Sequence, residues 1–297
     1  MYQIVSDSGC DFCETEAKKH NVHIVPFYVS FDRKHHFKEG VDITREEYFN
    51  KLTKEKKLFP KTYQPSVQDY INAYIPYLKE GKDILSLTIS SALSGSKASA
   101  KLAAKKLRKM YPGRTIVVLD SLNASVGQHL ILREIIKMRD DGLSLFETEE
   151  MAEKIIESVR VYFMVERLEY LRRGGRTGRA TFFVGTLLGV CPILQIVKGE
   201  LAQFNSVRGK QKALTLLNES IEFFLKEEAP NINFCIGHVL SEDDAKTFYR
   251  NTEAALGMKM ENPILDVGLS IAAYGGPGAL GFAYCKKYET ITLEEGV

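Results

Sequence analysis

Ile84-Leu85-Ser86-Leu87-Thr88-Ile89-Ser90-Ser91-Ala92-Leu93-Ser94-Gly95-Ser96 holds the decisive grammar of the chain. An apolar strand runs to Ile89, a turn of small hydroxylic residues follows, and an alanine- and lysine-rich helix extends from Gly95 to Met110. The same alternation surrounds it. Tyr2–Val5, Val22–Val29 and Thr115–Leu119 read as further strands bounded by turn or cap residues. Thr44 with Glu47 and Ser66 with Asp69 form capping boxes that open helices, the second passing Pro76 and stopping at Gly81. Leu122–Arg139 reads as another helix. A strand–helix–strand order of this kind predicts a parallel sheet covered by helices on both faces.

Past residue 158 the pattern changes. Val161–Val165 reads as a strand and Glu166–Arg173 as a short helix. Pro192–Val197 and Leu201–Val207 read as a hairpin turning at Lys198-Gly199. Helix Lys210–Glu227, strand Ile232–Leu240, a helix capped by Ser241 and Asp244, and a strand near Leu280–Cys285 follow. The expected fold class is therefore α/β in two lobes. An N-terminal, mainly parallel lobe spans 1–158 and a C-terminal mixed α/β lobe spans 159–297, with a ligand cleft between them.

Composition narrows the function. With 297 residues, 44% apolar and 26% charged, the chain can fill real cores. Forty basic and 38 acidic residues are interspersed, leaving a net charge of +2 and no like-charge block suited to nucleic acid. The start, MYQIVSDSG, lacks the features of a secretory signal, so a cytoplasmic location is expected. Thr181–Leu194 is the longest apolar stretch, too short for the ~20 residues of a bilayer span and broken by two glycines and a proline. No membrane insertion is expected. Five cysteines argue against a disulfide framework, and the acid around Cys10-x-x-Cys13 argues against a redox pair.

In a parallel sheet the carboxyl ends of the strands share one edge. Ser6-Asp7-Ser8, Thr88-Ile89-Ser90-Ser91 and Asp120-Ser121 should meet there as a polar floor to the cleft. The turn from Ser91 through Ser94 and Gly95 to Ser96 feeds a helix N-terminus, whose free N–H groups favour a carboxylate or phosphate. The turn is not a P-loop, and no G-x-G-x-x-G follows the first strand. Leu93-Ser94-Gly95 lacks the glycine that precedes a hydrolase nucleophile, and no motif ties a histidine to Ser94. The six histidines show no metal-ligand spacing, so no metal is expected. Gly174-Gly175-Arg176-Thr177-Gly178-Arg179 reads as a helix stop with cations, or as a phosphate-contacting loop.

Six segments in register resemble the DegV family, over residues 3–285 taken as one unit. They are Val5-Ser6-Asp7-Ser8; Lys61-Thr62-Tyr63-Gln64-Pro65-Ser66, with Tyr63 in place of the family serine; Ile89 through Ser96; Asp120-Ser121 with Gly127; Leu168 through Arg176; and Val267-Gly268 leading to Gly276-Pro277-Gly278-Ala279. The resemblance implies a protein that binds a long-chain, palmitate-like fatty acid and has no catalytic residue or cofactor of its own. Thr62 and Ser94 would hydrogen-bond the ligand carboxylate, with Ser91 and Gly95 beside them, and the acyl chain would enter a tunnel between the lobes. It also implies a separate fatty acid kinase as partner, toward which Arg176 and Arg208 are assigned, since arginine suits phosphate and acidic surfaces. Tyr274 stands where the family commonly has histidine and is counted with the head-group site. A serine-dependent acyl hydrolase and a lipid-sensing regulatory protein are the competing readings.

Overall fold

The computed structural model describes residues 2–55, 58–176, 189–225 and 227–291. The parallel sheet has the order β2-β1-β6-β7, built from β1 (Tyr2–Asp7), β2 (Val22–Val25), β6 (Asp83–Thr88) and β7 (Ile116–Asp120). Alternate residues feed opposite faces, as the pleat requires. Val5, Ile84 and Ile116 pack against α3 (Val67–Lys79) and α4 (Ser96–Met110). Ile4, Leu85 and Val117 pack against α5 (Val126–Asp140) and α6 (Leu145–Ser158). Both capping boxes form, at α2 (Arg45–Lys54) and at α3. Short α1 (Glu14–Lys19) is capped by the Cys13 sulfur.

The mixed sheet has the order β10-β9-β8-β13-β11-β12. Its strands are β8 (Arg160–Met164), β9 (Val190–Val197), β10 (Glu200–Arg208), β11 (Ile232–His238), β12 (Leu265–Asp266) and β13 (Leu280–Lys286). One face is covered by α8 (Lys210–Leu225) and α9 (Glu242–Leu256). The other meets α5, so Leu130 and Ile131 of α5 share a core with Cys235, Ala283 and Cys285 of the mixed sheet. One hydrophobic layer thus joins the lobes. Short α7 (Glu169–Gly174) and α10 (Leu269–Gly275) pack on each other at the seam.

Several local expectations are corrected. Val22–Val29 is not one strand, because Pro26 supplies no N–H and the Phe27 N–H bonds Ser8 Oγ instead. The chain leaves the parallel sheet there and Tyr28–Ser30 becomes β3 of a third, antiparallel sheet with β4 (Phe37–Lys38) and β5 (Lys61–Tyr63). The helix expected from Leu122 begins at Val126, after Leu122 and Ser125 take positive φ values of 49° and 53°. Ser241 does not cap α9 in the expected sense; its hydroxyl donates to Asp244. Helix α6 and its Ser144–Glu147 capping box were not anticipated.

Candidate functional site

An apolar cavity of about 1060 Å³, mouth included, lies between the lobes. Phe27, Ile89 and Leu93 line it from the N-terminal side, and Phe163, Ile196 and Val239 from the mixed sheet. Polar groups gather at one end: Thr62 on β5, Gln64 just after it, Ser94 before α4, Tyr274 on α10 and Arg176 after α7.

The third sheet carries Thr62 to this place. Thr62 pairs with Val29 on β3, and its Oγ1 lies 2.5 Å from the Tyr274 hydroxyl. The Arg176 guanidinium stands 5.2 Å above the Tyr274 ring and bonds the Leu93 and Gly174 carbonyls. Gly174 makes that stack possible, for a Cβ there would sit 2.2 Å from a Tyr274 ring carbon. Ser94 Oγ accepts the Ser96 N–H at 3.3 Å, which leaves its own proton to donate elsewhere. Beside Thr62, burial and the neighbouring Arg33, Arg176 and Arg173 hold Lys61 below the usual lysine range. The mouth is therefore rich in hydroxyl donors and rimmed by cations, a setting suited to an anionic head with an apolar tail.

Not every expected residue converges there. Ser91 and Gly95 line a shallower depression outside, shared with Ser94 and Arg176. The Ser91 hydroxyl is taken by Asp120 at 2.5 Å, and Gly95 lies against the Gln64 amide. Arg208 is exposed at the far end of β10 from Glu200, which borders that depression; eight strand residues place it on the order of 25 Å away. The hydroxylic strand ends do not form the cavity floor. Ser6 bonds Leu87 O, Ser8 bonds Glu39, and buried Asp7 accepts from Ser96, Gln128, Ile89 and Gly9. They knit the loops behind the site, because a buried carboxylate needs its donors close at hand. Arg176, assigned from sequence to a partner, instead borders the cavity as well. Gln64, Ser125 and Ser270 also line it and were not singled out; Gln64 lay in the quoted Lys61–Ser66 segment.

Gly175 is the left-handed cap of α7, the helix-stop reading of that segment; Thr177, Gly178 and Arg179 lie outside the described residues. His129 is buried against Phe12, with burial pushing it down to about 3, and bonds Cys10 O. His238 accepts the Ser241 N–H, and neither ring bonds Ser94. Burial raises the Cys10 thiol well above its usual range. Among the described residues no cluster of three or more His, Cys, Asp or Glu could hold a metal, and no helix is long and apolar enough to cross a membrane.

The α10 wall is held by two carboxyl groups from the N-terminal half. Asp11 accepts the Gly268 N–H at 2.9 Å and the Ser125 hydroxyl, while Glu39 accepts the Leu269 and Ser270 N–H groups and the Ser8 hydroxyl. Arg45 completes the cluster by bonding Val267 O and Asp266. Burial is the main influence on both acids; it pushes Asp11 up to about 7 and raises Glu39.

The family model for DegV, described as an uncharacterised protein family, matches residues 1–287. A DegV domain-containing protein of Clostridium acetobutylicum is 30% identical over 289 residues, covering 96% of this chain and 99% of its own. A stearic-acid-binding protein from Eubacterium ventriosum is 32% identical and superposes with a TM-score of 0.93, covering 98% of this chain and 100% of its own. A fatty-acid-binding DegV family protein from Thermus thermophilus is 31% identical with a TM-score of 0.86, over 96% and 99% of the two chains. Matched along nearly all its length in both sequence and backbone, the chain belongs to the DegV family.

Proposed function

We propose that this protein binds one long-chain fatty acid, carboxylate at Thr62, Ser94 and Tyr274 and acyl chain in the cavity, and presents it to a fatty acid kinase without transforming it. The observation that carries the reading is an apolar cavity at one end of which Thr62, Gln64, Ser94, Arg176 and Tyr274 gather. Burying some fifteen methylenes at ~0.8 kcal/mol each gives a gross term of ~12 kcal/mol before the costs of association. Each hydrogen bond to the charged head adds only ~1.5–3 kcal/mol but decides which end enters. Tail burial thus supplies affinity and the hydroxyls supply orientation. The cationic rim of Lys61, Arg173 and Arg176 supports an anionic head at the same end.

Native mass spectrometry of freshly purified protein, followed by extraction, should release a fatty acid. Thr62→Val or Ser94→Ala should each weaken binding by ~1–3 kcal/mol while the fold survives; unchanged affinity in the double variant would remove the head-group assignment. For the partner, Arg176 and Arg208 remain the assigned contacts. Incubation with a fatty acid kinase and labelled ATP tests that half, and absence of label on the bound acid would sink it.

A further inference from the structure

We infer that Val126 sets the longest acyl chain the cavity accepts, by closing it over Gly237, the cross-strand partner of Gly281; the inference rests on the fatty-acid reading above. Side chains on one face of a strand recur every second residue. In the antiparallel pair of β11 and β13 this gives successive rows: Val239 beside Ala279, Gly237 opposite Gly281, and Cys235 opposite Ala283. The first two rows line the cavity; Cys235 and Ala283 belong to the closed core with Leu130 and Ile131. The polar end lies at the first row, since a Cβ on Gly275, next to Tyr274, would stand 3.3 Å from Ala279 and 4.0 Å from Val239. A chain entering at Tyr274 therefore passes the first row, crosses the glycines and stops.

Val126 forms the stop. Its Cγ1 would be 2.6 Å from a Cβ on Gly237, so the valine rests on bare strand backbone. Beside it, cavity-lining Val161 is pressed on Gly127, where a Cβ would be 2.6 Å from Val161 Cγ2. The wall is stiff for two reasons. Valine has one strongly preferred rotamer in a helix, and the start of α5 is pinned by Ser125, whose N–H bonds Gly9 O at 2.7 Å and whose hydroxyl bonds Asp11. Each methylene buried before the stop is worth about fourfold in affinity. One methylene too many must displace Val126 or lift the carboxylate off Thr62.

The test is displacement of a fluorescent fatty acid from the whole protein by dodecanoic, myristic, palmitic, stearic and arachidic acids. Val126→Ala should move the preferred acid at least one step longer in that series. Val126→Leu should move it shorter, weakening the longest acid bound by the unmodified protein on the order of tenfold. The two variants change the stop in opposite directions, so a general loss of folding in one leaves the other to decide. The same preferred acid in all three proteins, or equal weakening of every acid, would overturn the length limit alone. Failure of the unmodified protein to bind any of the acids would instead overturn the fatty-acid reading.

Discussion

Tyr274 and Thr62 share a short hydrogen bond at the mouth, which uses one of their two hydroxyl protons and leaves the other to give. A carboxylate arriving there meets neutral donors, with the positive charge supplied from above by Arg176. Replacing Tyr274 by histidine, the residue the family resemblance leads one to expect, adds a ring that gains charge as pH falls through about 6.5, or lower under the influence of Arg176. A cation beside the head strengthens binding. The affinity of Tyr274→His relative to the unmodified protein should therefore rise between pH 8 and pH 5.5 in fluorescence displacement; the ratio cancels effects common to both proteins. A flat ratio would mean that the side chain does not face the carboxylate. At this scale the polar end of the cavity was half legible. Thr62, Ser94 and Tyr274 lie in quotable segments, whereas Ser125 and Ser270 reach the cavity only because α5 and α10 meet the N-terminal loops, a juxtaposition that no local spacing encodes.

Helix α10 is seven residues long, and packing and its end caps, more than propensity, hold so short a helix in place. Asp11 and Glu39 supply the N-terminal caps from the opposite lobe; Arg45 from that lobe and Asp266 and the buried His238 from the mixed sheet face the same cluster. Because Asp11 is raised from 3.8 to about 7 by burial, the native state holds a proton there that the unfolded chain has released. Its contribution is thus fully present below about pH 4 and is lost as pH rises toward 7, by at most about 4 kcal/mol. Asp11→Asn keeps an acceptor for the Gly268 N–H, turns an amide N–H toward the Ser125 oxygen where the carboxyl group accepted its proton, and removes the titration. Urea unfolding at pH 5 and pH 8 should show the unmodified protein losing more stability over that interval than the variant. Equal losses would show that Asp11 titrates normally. Several elements of ordinary length were readable from period and caps, as at α3, α4 and the β9–β10 hairpin, while α6 was missed despite its capping box. The third sheet was not, because strands of two or three residues carry too little pattern and are defined by what they pair with.

Among the described residues the lobes meet in ways of different character: at the hydrophobic core around α5, at a second core where Tyr48 and Phe49 of α2 join Tyr170 and Leu171 of α7, at the carboxyl caps of α10, and at the tip of the β9–β10 hairpin, where Ser90 donates to Gly199 O at 2.8 Å. Between them lies the apolar cavity, so the middle of the seam gains its packing from whatever fills it. The two-lobe α/β plan was legible from the change of grammar near residue 158, but this division of the seam was not, since it depends on α5 belonging to both cores at once. An occupant touching Leu93 and Ile89 on one side and Phe163 and Val239 on the other binds the assembled state and not the unfolded chain. Mass action then stabilises the native protein by about 2.7 kcal/mol when free ligand is a hundred times its dissociation constant. At about 2–4 °C per kcal/mol for domains of 150–250 residues, and somewhat less for a longer chain, the midpoint should rise several degrees. Scanning calorimetry of solvent-stripped protein with increasing palmitate should show that rise continuing with concentration, and the two lobes melting in one transition when loaded. A midpoint indifferent to palmitate in protein shown to be stripped would mean that the acid does not sit between the lobes.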